Sequence, residues 1–190
     1  MPIISGGNVI TGAGRRIRSH SVGSPAVGAT TAVHAAVTDT GVQVVVTTAI
    51  TDPDVPRNLT ATAGGTAADV KAIQVIVAGT DINGNSITET LPAFTVNTTG
   101  TVTGSKAFKT VTSITIPAHD GTGATTAVGT GAKLGLPACL SRDSVDDVYF
   151  NGVRETTRPT VAFSSSAVES NTVTLNSTLD GSAVSVDFHE

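Results

Sequence analysis

The chain of 190 residues is poor in aromatic residues, charge and cysteine. Aromatics make up 3% of it and tryptophan is absent, so any core must consist of Val, Ile, Leu and Ala. Charged residues are 14%, against a usual value of about 25%, which disfavours a free cytosolic protein. With Cys139 as the single cysteine, an intrachain disulfide and a thiolate metal site are both excluded.

Two kinds of targeting segment are also missing from the sequence. The first twenty residues show no charged stretch followed by an apolar core, so we expect no secretion signal. No run of about 18 apolar residues occurs, so we expect no membrane span. What is abundant instead is Thr, Val, Ala, Gly and Ser, a composition typical of short strands joined by many turns.

Charge is distributed unevenly along the chain. Residues 1–38 contain Arg15, Arg16 and Arg18 and no acid, whereas residues 143–190 hold two arginines against eight acids. Residues 1–38 also lack a sustained hydrophobic period, which predicts an extended N-terminal arm. Arg15, Arg16 and Arg18 are the candidate partner-binding residues. A protein partner is favoured over a nucleic acid because the basic patch is small and no aromatic residue accompanies it. A merely solvated arm is the remaining alternative.

From Val42 onward, apolar residues recur with a period of two. The pattern predicts strands in VQVVVTTAI, with Val42, Val44, Val46, Thr48 and Ile50 on one face, and in NLTATA, AIQVIVAG, SITETLPAFTV and KAFKTVTSITIP. Pro92 indicates an edge or a bulge. The single helical turn expected is TAADVK.

Residues 143–190 are expected to form a small antiparallel β-meander. Asn151-Gly152 and Asp180-Gly181 are both favoured hairpin dipeptides. We therefore predict an all-β protein: an arm (1–38), an antiparallel β-sandwich or barrel-like domain (39–142) and the meander (143–190).

Asp81, Asn83 and Asn85 alternate as at the start of a calcium-binding loop. However, Gly84 stands at loop position 4, and Pro92 occupies the position where a bidentate Glu is required. Asn83-Gly84 between two strand patterns favours a hairpin turn over a structural cation.

The stretch HDGTGATTAVGTGAK resembles a phosphate-binding loop only in its glycine content. Gly129, Gly131 and Lys133 do not fit the required spacing, and no helix pattern follows. We interpret it as a long surface loop. Of the four histidines, only His119, next to Asp120, lies where a catalytic site is plausible, and no nucleophile motif accompanies it. We predict no enzyme, no cofactor and no metal.

Three stretches, GTDINGNSITETL, IPAHDGTGATTAVGTGAKLGLP and NTVTLNSTLDGSAVSVDF, resemble small all-β virion proteins of tailed bacteriophages, over roughly residues 42–188. The resemblance implies a non-enzymatic capsid decoration (cement) protein, often a trimer, that is made in the host cytoplasm and assembled into the virion. Its partner would be the major capsid protein or another virion protein, with the arm (Ile3 to His20) lying between capsid subunits. Two alternatives are a head–tail connector, tail or fibre component and a bacterial surface or adhesion module.

Overall fold

The computed structural model describes residues 3–5, 8–10 and 16–189. These residues form sixteen β-strands and two 3₁₀ turns (67–69 and 168–170) and contain no α-helix, so the all-β prediction is confirmed. The strands are β1 (Ile3–Ser5), β2 (Asn8–Ile10), β3 (Ile17–Gly23), β4 (His34–Thr38), β5 (Val44–Val46), β6 (Arg57–Gly65), β7 (Ile76–Thr80), β8 (Ser86–Thr90), β9 (Gly100–Phe108), β10 (Thr110–Ile116), β11 (Ala124–Gly135), β12 (Val145–Phe150), β13 (Val153–Arg154), β14 (Thr160–Ala162), β15 (Thr172–Thr174) and β16 (Val184–His189).

All strand pairs described are antiparallel, and they build four sheets. The central sheet has the order β14–β15–β11–β6–β9, and β4 also pairs with β11. The first flanking sheet is β5–β10–β7–β8, and the second flanking sheet is β13–β12–β16–β3. Strands β1 and β2 pair with each other as a hairpin. Strand β8 is an edge strand that ends at Thr90, as the proline two residues later predicts.

The central sheet contributes to two hydrophobic cores. The first core combines Leu59 of β6 and Val128 of β11 with Val77 and Ile114 of the first flanking sheet. The second core combines other residues of the central sheet with the inward face of the second flanking sheet; it includes Leu134, Val173, Val184, Val186 and Phe188. Strand β11 therefore reaches both cores, its first half facing one and its second half the other. Aliphatic side chains dominate both cores, as the composition requires.

The predicted surface loop around Gly129 and Gly131 is wrong, because this stretch is the twelve-residue strand β11. The segment before β4 runs close beside it, with Thr130 N donating to Ala29 O at 3.1 Å. A Cβ atom built on Gly129 would lie 1.9 Å from Ala29 O. Glycine here permits a close approach of two backbones instead of a turn.

The expectation that residues 1–38 have no fold of their own is wrong for residues 17–38. Strand β3 pairs with β16, and β4 pairs with β11. Val22 and Val33 are buried. The sequence of β3 shows no alternation of apolar and polar residues, because Arg, Ser and His occupy most of its positions. The strand was therefore not recognised from hydrophobic periodicity. An arm reaching as far as His20 is therefore too long.

The C-terminal strands do not form the predicted meander. Strands β12, β13 and β16 lie in the second flanking sheet, whereas β14 and β15 join the central sheet. Asn151-Gly152 makes the predicted hairpin turn, with both φ angles positive (52° and 75°). Asp180-Gly181 does not, because β15 and β16 belong to different sheets. Hydrogen-bonded pairs such as β3–β16 and β11–β15 cross the expected domain boundaries at 38/39 and 142/143.

Candidate interaction surface

Of the predicted partner-binding arginines, Arg18 lies in β3 and Arg16 directly precedes that strand. Arg16 and Arg18 are exposed, and Ile17 between them has 64% of its surface accessible to solvent. Arg15 lies outside the described residues. Arg16, Ile17 and Arg18 thus place two cations and a large aliphatic side chain together at the surface where β3 begins.

Strand β3 is held in place by pairing with β16 and by the burial of Val22. Its register with β16 runs from Ile17 opposite His189 to Gly23 opposite Val184, with one irregularity near Val184. Val22 packs into the second core. Among the described strands, β16 alone pairs with β3. Within the described part of the chain, the other side of β3 is therefore a sheet edge, and the N–H and C=O groups of such an edge are a template for a further strand.

His20 lies next to Arg18 on the same face of β3. Burial lowers the pKa of His20 below its ordinary value, and the positive charge of Arg18 lowers it further. The imidazole is consequently biased towards its neutral form at pH 7, and the positive charge of this edge comes from the arginines.

The neighbouring strands of the same sheet carry acids. Asp147 of β12 stands directly opposite Asp187 of β16, a like-charge pair that is unfavourable by itself. Arg154 of β13 forms an ion pair with Asp147, and His189 lies 2.8 Å from Asp146. The described residues contain no group of three or more His, Cys, Asp or Glu side chains able to hold a metal ion.

His119, the candidate catalytic residue, has both ring nitrogens in structural contacts. Lys71 N donates to Nδ1 at 3.2 Å, and Nε2 lies 2.9 Å from Thr126 Oγ1. Its ring stacks on Phe94. Burial lowers the pKa of His119, although the nearby carboxylates of Asp39 and Asp120 act in the opposite direction. In the neutral tautomer, Nδ1 accepts the hydrogen bond from Lys71 N and Nε2 can donate to Thr126 Oγ1. Both ring nitrogens are used within the protein, as in a structural histidine of the core.

The stretch around Asp81 is a hairpin between β7 and β8, as predicted. Asp81 Oδ1 accepts hydrogen bonds from Asn83 N and Asn85 N, and Oδ2 accepts one from Asn85 Nδ2. Only Gly84 of the favoured dipeptide has positive φ, so the turn is the three-residue kind with a bulge. Both carboxylate oxygens are thus used to shape the turn.

A cleft of about 630 Å³ lies beside the β12–β13 hairpin, with Phe150 and Val153 in its wall. Its carboxylate, Glu155, accepts hydrogen bonds from Asn176 N and Ser177 N. A smaller cleft of about 250 Å³ contains Cys139 and His189. The Glu155 carboxylate in the larger cleft therefore has a structural role, because it already accepts hydrogen bonds from backbone N–H groups.

Sequence reasoning missed the buried polar residues that fix the connections between elements. Arg57, 1% exposed, donates from Nε to Gly131 O at 2.7 Å and from Nη1 to Ala26 O and Asp54. Asn171 accepts from Leu140 N and Ser164 N through one oxygen. The spacing of Asp54 and Arg57, three residues apart after a proline, was the one available signal.

No protein-family model matches the chain, and no curated protein or solved structure shows significant similarity to it. No helix among the described residues is long and apolar enough to span a membrane.

Proposed function

We propose that this chain is a non-enzymatic structural protein of a tailed-phage particle that decorates and stabilises the capsid shell. The observation that carries the proposal is β3, an edge strand of seven residues among the described strands: Ile17 and Arg18 are exposed at its start, and Arg16 directly before it is exposed as well. Such an edge suits attachment to a neighbouring protein subunit, since backbone pairing and charge act together. The resemblance to small all-β virion proteins is the reason for proposing a phage particle.

The buried polar groups support a mechanical role. Arg57, Asn171 and Glu89 each connect segments from different strands or loops, and Glu89 accepts hydrogen bonds from Ser105 N and Lys106 N of edge strand β9. These contacts rigidify the sheets and cover part of a second edge. A rigid module repeated by symmetry adds buried interface to a shell at every equivalent position.

The first experiment is the copy number of this protein in purified particles, by quantitative mass spectrometry against the major capsid protein. Shell decoration requires on the order of hundreds of copies, because shell symmetry repeats each site. About a dozen copies would assign it to the head–tail connector, tail or fibres. Absence from the particles would overturn the proposal and favour a bacterial surface module.

Attachment is then tested by truncation. Removing residues 1–15 leaves β3 and its pairing with β16 in place, whereas removal of residues 1–20 would also delete half of β3. We expect the 1–15 deletion to keep the β fold and to weaken cosedimentation with shells. Undiminished cosedimentation would show that residues 1–15 take no part, and the R16E/R18E variant then tests β3 itself.

A further inference from the structure

We propose that Lys133 and Asn58 join covalently through their side chains, forming an amide cross-link between β11 and β6. Nζ of Lys133 attacks Cγ of Asn58, a C–N bond forms, and the bond from Cγ to Nδ2 breaks to release ammonia. The inference goes beyond the proposed function and does not depend on it, because it concerns two side chains of one chain.

Both reacting side chains meet at one carbonyl oxygen, that of Gly104 in β9. Nζ of Lys133 donates a hydrogen bond to this oxygen at 3.1 Å, and Nδ2 of Asn58 donates one at 3.0 Å. Strand β6 lies between β11 and β9, so the Lys133 side chain extends across β6 to reach Gly104. The shared acceptor holds the amine and the amide side by side, and such positioning takes the place of a bimolecular encounter.

Irregular strand pairing at Asn58 creates this arrangement. The register of β6 shifts next to Asn58 against both β9 and β11, and such irregularities disrupt the regular ladder of backbone hydrogen bonds. The Asn58 side chain bonds both neighbours there, since Oδ1 accepts from Lys133 N at 2.9 Å and Nδ2 donates to Gly104 O. Gly131 leaves room for it, because a Cβ atom on Gly131 would lie 2.4 Å from Oδ1. The amide is therefore fixed in position.

The Asn58 amide is also shielded from water and polarised. Asn58 has 0% of its surface exposed, so bulk water does not compete with the amine for Cγ. Oδ1 gains negative charge when Nζ attacks Cγ, and the backbone N–H of Lys133 already donates to this oxygen. A preorganised donor at a developing oxyanion lowers the barrier to acyl transfer.

The proton lost by the amine must reach the departing ammonia, and Glu89 is placed to carry it. Its Oε2 would lie 2.7 Å from a Cβ atom built on Gly104, whose oxygen binds both reacting groups. Oε1 accepts from Ser105 N at 2.6 Å, whereas Oε2 accepts a longer bond of 3.3 Å from Lys106 N. Glu89 forms no ion pair with Lys133 in the described part of the chain, so the transfer uses one intervening water.

The cross-link would close a covalent loop around residues 59–132. This loop contains β7, β8, β9 and β10 and most of the first core, from Leu59 to Val128. Closing so long a loop removes conformational entropy from the unfolded chain. Cross-linked molecules should therefore melt roughly 10 °C above molecules without the cross-link. A pull on the two ends of the chain would bypass the first core.

The test measures the intact mass of the full chain under denaturing conditions, before and after incubation at about pH 9, where more of a lysine amine is neutral than at pH 7. We expect a mass about 17 Da below that of the sequence, which corresponds to one ammonia. Peptide mapping should give one branched peptide that joins the segments around Asn58 and Lys133, with no tryptic cleavage after Lys133.

The decisive variant is K133R, which keeps the positive charge but has no nucleophilic amine. The matched control is K106R, at another half-buried lysine, in β9. K133R should keep the full mass of its sequence, and K106R should lose ammonia like the unaltered chain. E89Q should lose ammonia at least about tenfold more slowly, because an amide cannot take up the proton; an unchanged rate would overturn the role of Glu89.

A mass that stays at the sequence value after incubation would overturn the inference. A loss of ammonia that persists in K133R would also overturn it, and would point to ring closure at Asn83-Gly84 or Asn151-Gly152, which releases ammonia as well. If K133R fails to fold, the presence or absence of the branched peptide in the unaltered chain decides the matter. Absence of the protein from phage particles would refute the proposed function and leave the cross-link unaffected.

Discussion

Arg57 shows how one side chain can hold three segments in place. Its guanidinium contacts β11 at Gly131, the loop at Ala26 and the carboxylate of Asp54. Burial alone would raise the pKa of Asp54, but hydrogen bonds from Ala26 N and Arg57 outweigh it and lower that pKa. On β6, Arg57 pairs with Leu134 of the second core and stands two residues before Leu59 of the first core.

We expect R57M to lower the free energy of unfolding by about 3 kcal/mol, since it leaves two carbonyl groups and a carboxylate without their donor. R57K should recover little of this loss, because an ammonium group lacks the planar fork. Urea denaturation measures both variants. Recovery of full stability by R57K would contradict the geometric argument and leave only a requirement for charge.

The protonation of His119 should make the stability of the protein depend on pH. Its pKa is lowered in the folded chain from an ordinary value of 6.5, chiefly by burial, and that of His20 is lowered as well. The unfolded chain therefore takes up protons first as the pH falls. The contribution of neutral His119 and His20 to the free energy of unfolding is complete above pH 6.5 and is lost progressively as the pH falls below that value.

The free energy of unfolding should thus fall between pH 7.5 and pH 5.5, as measured by urea titration at several pH values. H119Q should be less stable than the unaltered chain at pH 7.5 and should show a weaker pH dependence. H34Q, at a half-exposed histidine, is the control. An unchanged pH dependence in H119Q would show that other groups are responsible.

At the scale of the element, β11 depends on glycines that its strand pattern does not explain. We expect G129A to lower the free energy of unfolding by about 3 kcal/mol or more, because the new Cβ meets the backbone at Ala29 and cannot be accommodated by a side-chain movement. G100A, with no atom within 4 Å of the added Cβ, is the control and should be nearly neutral. Equal melting temperatures for the two variants would contradict this.

Strands were predictable from the sequence where alternation coincided with burial. Leu59, Ala61 and Ala63 are buried as expected, and so are Ile114 and Ile116. The predicted strand from Val42 to Ile50 is shortened to β5, because Ala49 adopts a positive φ of 54° and Val42 is exposed. Local pattern cannot reveal such a backbone bend.

Sheet membership was much harder to predict than strand position. The stretch KAFKTVTSITIP was expected to be one strand, but it changes sheets at Lys109, between β9 and β10. Similarly, Gly129 reads as a loop residue unless the segment at Ala29 is known to lie against it. Of the candidate site, the arginines were proposed from charge alone, whereas the edge position of β3 among the described strands follows only from its pairing with β16.

At the scale of the whole molecule, β11 shares its backbone between the two cores. Loss of either core exposes part of the same strand, so we expect the halves to unfold together. Scanning calorimetry should give one transition with equal van't Hoff and calorimetric enthalpies. Two resolved transitions would show that the cores are energetically independent.

The pairing of β3 with β16 has a consequence for synthesis on the ribosome. β3 is the first strand of its sheet to be made, and β16 follows every other described strand along the chain. We therefore expect Val22 to become buried only after β16 has been synthesised, and pairings between strands so far apart in sequence form slowly. During that interval β3 lacks its partner strand β16, so we expect the nascent chain to be vulnerable at β3 to proteases and to wrong strand pairing.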